Sequence, residues 1–256
     1  MKQALFAICF ASAILAQTAP KSTTASKSTS AVKSTTAAKS TAAPAAPAAD
    51  LLHPATLNRT APAIYRVKLT TTKGDVLIEV TRAWAPRGAD RFYNLVRAGY
   101  FNDCAFYRVI PKFMAQFGIS ARPEVNKAFA TANIPDEPRK ESNKRGMVSF
   151  ATAGPNTRAT TLFINMTDNA YLDPMGFAPI GEVVEGMGNV DMLYTGYGDI
   201  SIHQTEFENG GKSYVDRTFP KLDRILTATI APMPAAAPPA MAPKALTPTP
   251  PGAAKQ

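Results

Sequence analysis

The chain has 256 residues and a formal net charge of +9. Residues 51–230 carry 21 Lys/Arg and 18 Asp/Glu, a net of 21 − 18 = +3, so most of the excess lies in lysines outside this part. No basic patch interleaved with aromatic residues supports a nucleic-acid partner. Two cysteines and two histidines leave little material for disulfides, a metal site or a histidine-based triad.

The N-terminal end predicts export. Lys2 precedes an apolar run over residues 4–16, followed by small residues. This pattern is typical of a secretory signal peptide at residues 1–16 and is short for a membrane span, although an uncleaved anchor stays open. We therefore expect a periplasmic or secreted protein.

Two further segments are predicted to be disordered. Residues 17–60 form a Lys/Ser/Thr/Ala/Pro-rich linker with little apolar bulk, and residues 231–256 form a Pro/Ala-rich tail. The linker lysines would contact anionic envelope components weakly, and a solvated tether is the alternative. We expect a monomer.

Residues 61–230 carry the pattern of one domain built mainly from short strands. Seven or eight short strands with only two helices indicate a β-barrel or sandwich with helical caps. A long polar loop that contains Pro123, Pro135 and Pro138 interrupts the pattern. In chain order we predict strands at 65–70 and 74–80, a helix at 86–98, strands at 106–110, 113–118, 147–151, 162–165 and 181–184, a helix at 188–194, and a strand at 225–230.

The stretch FYRVIPKFMAQFG holds one arginine among apolar residues. Alternation places Phe106, Arg108 and Ile110 on one side of their strand, and Met114 and Gln116 on one side of the next. If the two strands pair antiparallel, the Gln116 amide oxygen can accept a hydrogen bond from Arg108. An arginine neutralised by a carboxylate at the rim of the sheet is the alternative, and this stretch alone leaves both open.

Other chemistry-bearing residues are weaker candidates. His53 and His203 lack a cysteine or paired carboxylates at ligand spacing, so we expect both to be solvated. Asp136 and Glu137 are adjacent in a Pro-rich loop, where such acids usually face solvent. Cys104 is expected to be a small buried apolar residue. These residues predict neither metal nor cofactor.

Six motifs follow one another between about residue 65 and residue 230: FYRVIPKFMAQFG, IPDE, GMVSFATAGPNT, LFIN, YLD and GFAPIGEVVEGM. Their order resembles the cyclophilin family of peptidyl-prolyl cis–trans isomerases. The resemblance implies a mainly β fold, a closed eight-stranded antiparallel barrel capped by two α-helices, with a proline-binding groove on its outside. It also implies an isomerase that acts on proline-containing polypeptides and helps exported proteins to fold. A proline-peptide binding module, an envelope chaperone with little turnover, or a scaffold acting through its linker stays open.

The resemblance also implies the residues of the site. Arg108 matches the catalytic arginine, Phe163 the aromatic floor of the proline pocket and Leu172 a pocket wall. Phe177 takes the place of the pocket histidine of many members. The implied substrate-binding residues are Phe113, Met114, Gln116, Ala151, Thr152, Thr161, Phe163, Tyr171, Leu172 and Phe177.

Several residues depart from the family pattern. Tyr107 stands where the family commonly has histidine, and Thr152 stands in place of an asparagine. Thr161 replaces a glutamine, which removes a polar contact to the substrate backbone. Tyr171 stands where many members have tryptophan, so we expect weakened binding of cyclosporin. Residues 198–221 are longer than a minimal domain needs, and the sequence assigns them no role.

Overall fold

The structure, a computed structural model, describes residues 51–233. The predicted signal peptide, residues 17–50 of the predicted linker and residues 234–256 of the predicted tail lie outside these residues. Within them, no helix is long and apolar enough to cross a bilayer. The elements are β1 (Ile64–Thr71), β2 (Gly74–Thr81), α1 (Pro86–Arg97), β3 (Cys104–Ala105), β4 (Arg108–Ile110), β5 (Met114–Phe117), α2 (Pro123–Phe129), β6 (Met147–Phe150), β7 (Leu162–Asn165), β8 (Pro179–Glu185), α3 (Met187–Asp191), α4 (Gln204–Thr218) and β9 (Arg224–Ala231).

The strands form one antiparallel sheet in the order β3-β9-β1-β2-β8-β6-β7-β5-β4. The sheet curls, but its edge strands β3 and β4 do not pair, so the prediction of a closed eight-stranded barrel is wrong. The break falls at Phe106 and Tyr107, which separate the two edge strands in sequence. Both side chains are buried, but Phe106 shares the main core with Val109, three residues further on, which is incompatible with one alternating strand. Phe106 therefore lies in the main core, not beside Arg108 as predicted.

The first hairpin and the first helix are confirmed. Strands β1 and β2 pair over their full length, with Thr71 opposite Gly74. The positive φ of Gly74, 116°, suits the tight connection. Helix α1 packs against the sheet through its apolar face, which contributes Phe92, Leu95 and Val96 to the main core.

One face of the outer strands belongs to the main core. Val109, Ala115, Ile164 and Val148 lie opposite one another across β4, β5, β7 and β6, and all four are buried there. Side chains alternate between the faces of a strand, so the residues beside them in sequence point away from this core. This register therefore determines which residues lie on the outer face of the sheet, where the site is found.

The described residues contain four α-helices, whereas the sequence predicted two; α2 and α4 were not predicted. Pro123, taken as a loop residue, opens α2, where its missing N–H costs nothing. The polar helix α4 is bent at Gly211, whose φ of 52° favours glycine. Asn126 of α2 donates to the Glu208 carbonyl of α4 at 3.0 Å, so the two helices pack together. A second apolar cluster joins α4 to the sheet; it contains Ala105, Tyr107, Ile119, Ile200, Phe207, Val215, Phe219 and Leu222.

The adjacent acids of the IPDE motif differ in how far their side chains are buried. Asp136 is about half exposed, but the Glu137 side chain is only 5% exposed, so the prediction that both face solvent is wrong. Glu137 accepts hydrogen bonds from the backbone N–H groups of Arg87 and Gly88 at 2.8 and 3.0 Å and pairs with Arg158 at 3.2 Å. Helix α1 has no side-chain cap of its own, so Glu137 satisfies its free N–H groups.

Candidate active site

A row of directly opposed residues crosses the outer face of the sheet. Arg108 of β4 lies opposite Gln116 of β5, which lies opposite Phe163 of β7. Arg108 Nη1 donates to Gln116 Oε1 at 3.3 Å, which confirms the predicted meeting of these side chains. Ile110 and Met114 form the next opposed pair on the same face. Strand register therefore places a guanidinium beside an amide and an aromatic ring.

An apolar cluster lies beside this row, and we call it the outer apolar cluster. Its buried members are Met114, Phe163 and Leu172, and its half-buried members are Ile110, Phe113, Ala151 and Phe177. The rings of Phe163 and Phe177 meet edge to face with centroids 5.6 Å apart. The exposed ring of Tyr171 stacks against Phe113 at 6.2 Å. Apolar residues named by the resemblance thus lie together.

Phe113 and Met114 are neighbours in sequence, yet both contact this cluster. Lys112 has a φ of 59°, and the Phe113 N–H donates to the Ile110 carbonyl at 3.1 Å. Phe113 therefore belongs to a tight turn rather than to the strand that begins at Met114. Strand alternation would have separated the two side chains, and the turn brings them to the same side.

The polar residues named by the resemblance line a cavity of about 290 Å³ next to the row. The Ala151 N–H donates to the Thr161 carbonyl at 2.9 Å, which joins the two segments that form one wall. The Thr152 hydroxyl is hydrogen-bonded within its own loop, to the Gly154 carbonyl and to Thr157. The lining includes Gln116, Ala151, Thr152 and Thr161 from the sheet side, and Gln204 and Glu208 from α4.

Tyr107 determines which way the Gln116 amide faces. Gln116 Nε2 donates to the Tyr107 hydroxyl at 2.6 Å, which leaves Oε1 facing Arg108. Burial raises the pKa of Tyr107 well above its usual value, so the phenol stays neutral, while Thr161 and Arg108 act in the opposite direction. The Tyr107 ring packs against Phe207 of α4 at 5.7 Å. Tyr107, which stands where the family commonly has histidine, therefore connects the site to α4.

A carboxylate that sequence analysis did not find also contacts Arg108. Arg108 Nε and Nη2 donate to Asp199 Oδ1 and Oδ2 at 2.9 and 2.8 Å. Burial alone would raise the pKa of Asp199, but hydrogen bonds from Arg108 and Ser201 lower it to about 2. The sequence left Gln116 and a carboxylate as alternative partners for Arg108, and the structure shows both. The guanidinium carbon also lies 5.9 Å from the Phe113 ring centroid.

Other candidate residues lie apart from this site. Cys104 is fully buried, as predicted, and its thiol donates to the Ile119 carbonyl at 3.0 Å. Burial raises the pKa of Cys104 to about 12. His203 is half-buried against the Phe219 ring, with centroids 5.4 Å apart, so its side chain is only partly solvated. Residues 51–233 hold no group of three or more His, Cys, Asp or Glu side chains suited to a metal ion.

The site combines a fixed guanidinium, an amide and an apolar cluster on the outer face of a curled antiparallel sheet. Residues 66–207 match the family model described as cyclophilin type peptidyl-prolyl cis-trans isomerase/CLD. Over 175 residues the chain is 34% identical to a probable peptidyl-prolyl cis-trans isomerase of Brucella abortus (strain 2308), which covers 64% of this chain and 81% of the relative. The chain belongs to the cyclophilin-type peptidyl-prolyl cis–trans isomerase family.

Solved structures of similar proteins share less sequence with the chain. A cyclophilin from Hirschia baltica is 19% identical with a TM-score of 0.48, over 67% of this chain and 76% of that one. A cyclophilin-type isomerase from Cryptosporidium parvum, crystallised in the presence of the dipeptide Ala-Pro, is 20% identical with a TM-score of 0.46, over 66% and 99%. The family assignment rests on the sequence matches.

Proposed function

We propose that this protein accelerates cis–trans rotation about X-Pro bonds in exported polypeptides, with Arg108 as the catalytic residue. One observation carries the proposal: Arg108 lies opposite Gln116 on the outer face of the sheet, hydrogen-bonded to it and beside the outer apolar cluster. A proline ring suits the apolar cluster, and the bond before it would lie next to the guanidinium. The substrate class is therefore a proline-containing polypeptide.

The reaction needs neither a nucleophile nor a titrating acid. Rotation about a peptide bond breaks amide resonance, with a barrier of ~18–20 kcal/mol, and X-Pro bonds take tens to hundreds of seconds to isomerise unaided. A catalyst must bind the twisted amide more tightly than either planar form. Twisting frees a lone pair on the prolyl nitrogen, and a fixed guanidinium N–H donates to it only in that state. The permanently charged Arg108 suits this role better than a lysine.

The neighbouring residues hold the substrate and orient the guanidinium. Met114, Phe163 and Leu172 are buried and would contact the proline ring, while Tyr171 is exposed and would flank it. Thr152 contributes surface more than hydrogen bonds, because its hydroxyl is bound within its own loop. The proposed substrate-binding set is Phe113, Met114, Gln116, Ala151, Thr152, Thr161, Phe163, Tyr171, Leu172 and Phe177.

A proline-peptide binding module or envelope chaperone with little turnover is the second candidate. Two observations favour it: Asp199 occupies two N–H groups of Arg108, and the Thr152 hydroxyl is already bound. Both features reduce the polar contacts offered to a peptide. Turnover separates this candidate from the first, because a binding module would bind an X-Pro peptide without accelerating its rotation.

The test is Arg108→Ala, assayed by NMR exchange spectroscopy on a short X-Pro peptide. Loss of one preorganised donor costs on the order of 10²-fold in rate, so kcat/KM should fall about 100-fold. Arg66→Ala is a matched control, since Arg66 is also a half-buried strand arginine paired with a carboxylate, Glu79, at 2.8 Å. Equal rates for wild type and Arg108→Ala would reject the enzymatic role of Arg108. Peptide binding without acceleration by wild type would favour the second candidate.

Export is proposed from the sequence of residues 1–16, where Lys2 precedes the apolar run. We expect the full chain, expressed in a bacterium with an envelope, to be recovered from the periplasm or medium. A chain lacking residues 1–16 should stay in the cytoplasm. Recovery of both forms in the cytoplasm would contradict export. Deleting residues 17–60 tests the linker separately, and unchanged envelope retention would show that it does not act as an anchor.

A further inference from the structure

A carboxylate from outside the sheet holds the guanidinium that the proposed function places at the reacting bond. We infer that Asp199, which lies in the segment between β8 and β9, is a positioning residue for Arg108 in the isomerase site. The inference rests on the proposed function, because it assigns Asp199 a role in the same reaction. Asp199 lies 91 residues from Arg108 in sequence, and it contacts Arg108 through both carboxylate oxygens.

The pattern of contacts leaves part of the guanidinium available. A guanidinium has five N–H donors. Asp199 accepts from Nε and one N–H of Nη2, and Gln116 accepts from one N–H of Nη1. One N–H on each terminal nitrogen remains, and these two can meet the substrate. Asp199 therefore occupies one edge of the guanidinium without occupying the whole group.

The two oxygens of Asp199 fix the plane of the guanidinium. A bidentate arginine–carboxylate pair restricts orientation as well as distance. The Gln116 contact is single and 3.3 Å long, so by itself it allows the guanidinium to rotate. Arg108 is also partly exposed, with a long side chain whose ordering has an entropic cost. Asp199 supplies the restraint that Gln116 alone lacks.

Asp199 is itself held in place by a packed segment. Its Oδ1 accepts a hydrogen bond from the Ser201 backbone N–H at 3.1 Å. The next residue, Ile200, is buried in the second apolar cluster, and the Tyr197 ring lies 5.1 Å from the Phe219 ring. The carboxylate therefore sits on an anchored stretch of chain, as a positioning group must.

Loss of Asp199 should affect turnover more than binding. In the proposed function the proline ring would contact the outer apolar cluster, of which Asp199 is not a member. The bond from Arg108 to the prolyl nitrogen gains strength only in the twisted state, so a poorly oriented guanidinium lowers kcat and leaves KM nearly unchanged. This split distinguishes a positioning role from general damage to the fold.

The experiment compares Asp199→Ala and Asp199→Asn with wild type by NMR exchange on an X-Pro peptide, with kcat and KM measured separately. Misplacement of a catalytic group lowers the rate of the chemical step. We therefore expect kcat to fall about 10-fold in Asp199→Ala, with KM changed less than about two-fold. Asp199→Asn should retain part of the rate, because its amide oxygen still accepts one N–H. Asp216→Ala is the matched control: Asp216 lies in the same segment, pairs with Lys212 and Arg224, and its side chain is 46% exposed against 45% for Asp199. It should keep the wild-type kcat.

Two further readouts separate a local effect from a structural one. The Nε–H signal of Arg108 should shift upfield in Asp199→Ala and stay unchanged in Asp216→Ala, since only the former loses the acceptor. Combined with Arg108→Ala, the Asp199→Ala substitution should cause no further loss of rate. An unchanged kcat would overturn the inference, and a raised kcat would show instead that Asp199 competes with the substrate. Wild-type activity that requires Arg108 but not Asp199 rejects this inference alone, whereas activity independent of Arg108 rejects the proposed function.

Discussion

Two arginine–carboxylate pairs in this molecule share their chemistry and differ in burial. The Arg158 and Glu137 side chains are 3% and 5% exposed, whereas those of Arg108 and Asp199 are 26% and 45% exposed. Removing one partner of a buried pair leaves an uncompensated charge, while an exposed pair contributes little to stability. The Arg158–Glu137 pair therefore stabilises the fold around the start of α1. The second keeps a charged group oriented where a substrate can reach it.

The largest expected effect comes from removing the buried acid. Glu137→Ala should lower the free energy of unfolding by ~3–5 kcal/mol, because buried Arg158 would lose its buried carboxylate and keep only the half-exposed Asp136 at 3.5 Å, and α1 would lose its capping group. Urea unfolding measures the change. Asp136→Ala is the matched control: this neighbouring side chain contacts the same Arg158 at 3.5 Å but is 47% exposed, so its loss should cost under about 1 kcal/mol. Equal losses in the two variants would contradict the comparison.

Lysine substitutions should separate the two pairs by what they damage. Arg108→Lys keeps the charge but cannot bond Asp199 through two nitrogens and also reach Gln116, so kcat should fall about 30-fold with stability nearly unchanged. Arg158→Lys should lower stability by about 2 kcal/mol and leave the kcat of the folded protein unchanged. NMR exchange and urea unfolding on both proteins provide the measurements. A large stability loss in Arg108→Lys would show that its pair is also structural.

A smaller effect is expected for the hydroxyl that orients Gln116. Tyr107→Phe removes the acceptor of the Gln116 amide nitrogen and keeps the ring packed on Phe207. One lost hydrogen bond is worth about 1 kcal/mol, so kcat should fall about five-fold through misorientation of Gln116. Tyr93→Phe, in α1 and outside the site, serves as the control. An unchanged rate in Tyr107→Phe would mean that Gln116 keeps its orientation without this bond.

The smallest effect is the pH dependence of the exposed pair. The pKa of Asp199 is about 2 in the folded protein and 3.8 in its reference state, so the pair stabilises fully above pH 3.8 and loses its effect as pH falls through about 2. Wild type should exceed Asp199→Asn in stability by no more than about 1 kcal/mol at pH 6, and the difference should vanish near pH 2. Urea unfolding at several pH values tests this. A difference that does not change with pH would exclude the ionised carboxylate as its source.

Local patterns in the sequence predicted the parts of the site that lie on paired strands. The alternation of residues 106–118 placed Arg108 against Gln116, because a short hairpin fixes register through nearby residues. The resemblance added Phe113, which alternation had assigned to the other face, and a tight turn at Lys112 explains the exception. The same alternation failed at Phe106, where the chain leaves one edge of the sheet for the other.

The parts that sequence analysis missed depend on contacts between distant segments. Asp199 meets Arg108 across 91 residues, and no pattern around either residue indicates the other. Glu137 looked solvated from its Pro-rich surroundings, since its burial arises from Arg158 and the start of α1. Helix α4 is polar and contains Gly211, so neither propensity nor periodicity favoured it. Its apolar partners include Tyr107, which lies between β3 and β4 and far from α4 in sequence.

Because the thiol of Cys104 is buried, its reactivity reports how often the surrounding core opens. Burial raises the pKa of the thiol to about 12, so the thiol stays protonated at pH 8, and Cys104 has no exposed surface in the folded protein. A maleimide or disulfide reagent can therefore react at Cys104 only while the surrounding core is open. In a Cys9→Ser background, the labelling rate of Cys104 would measure that opening without an introduced cysteine.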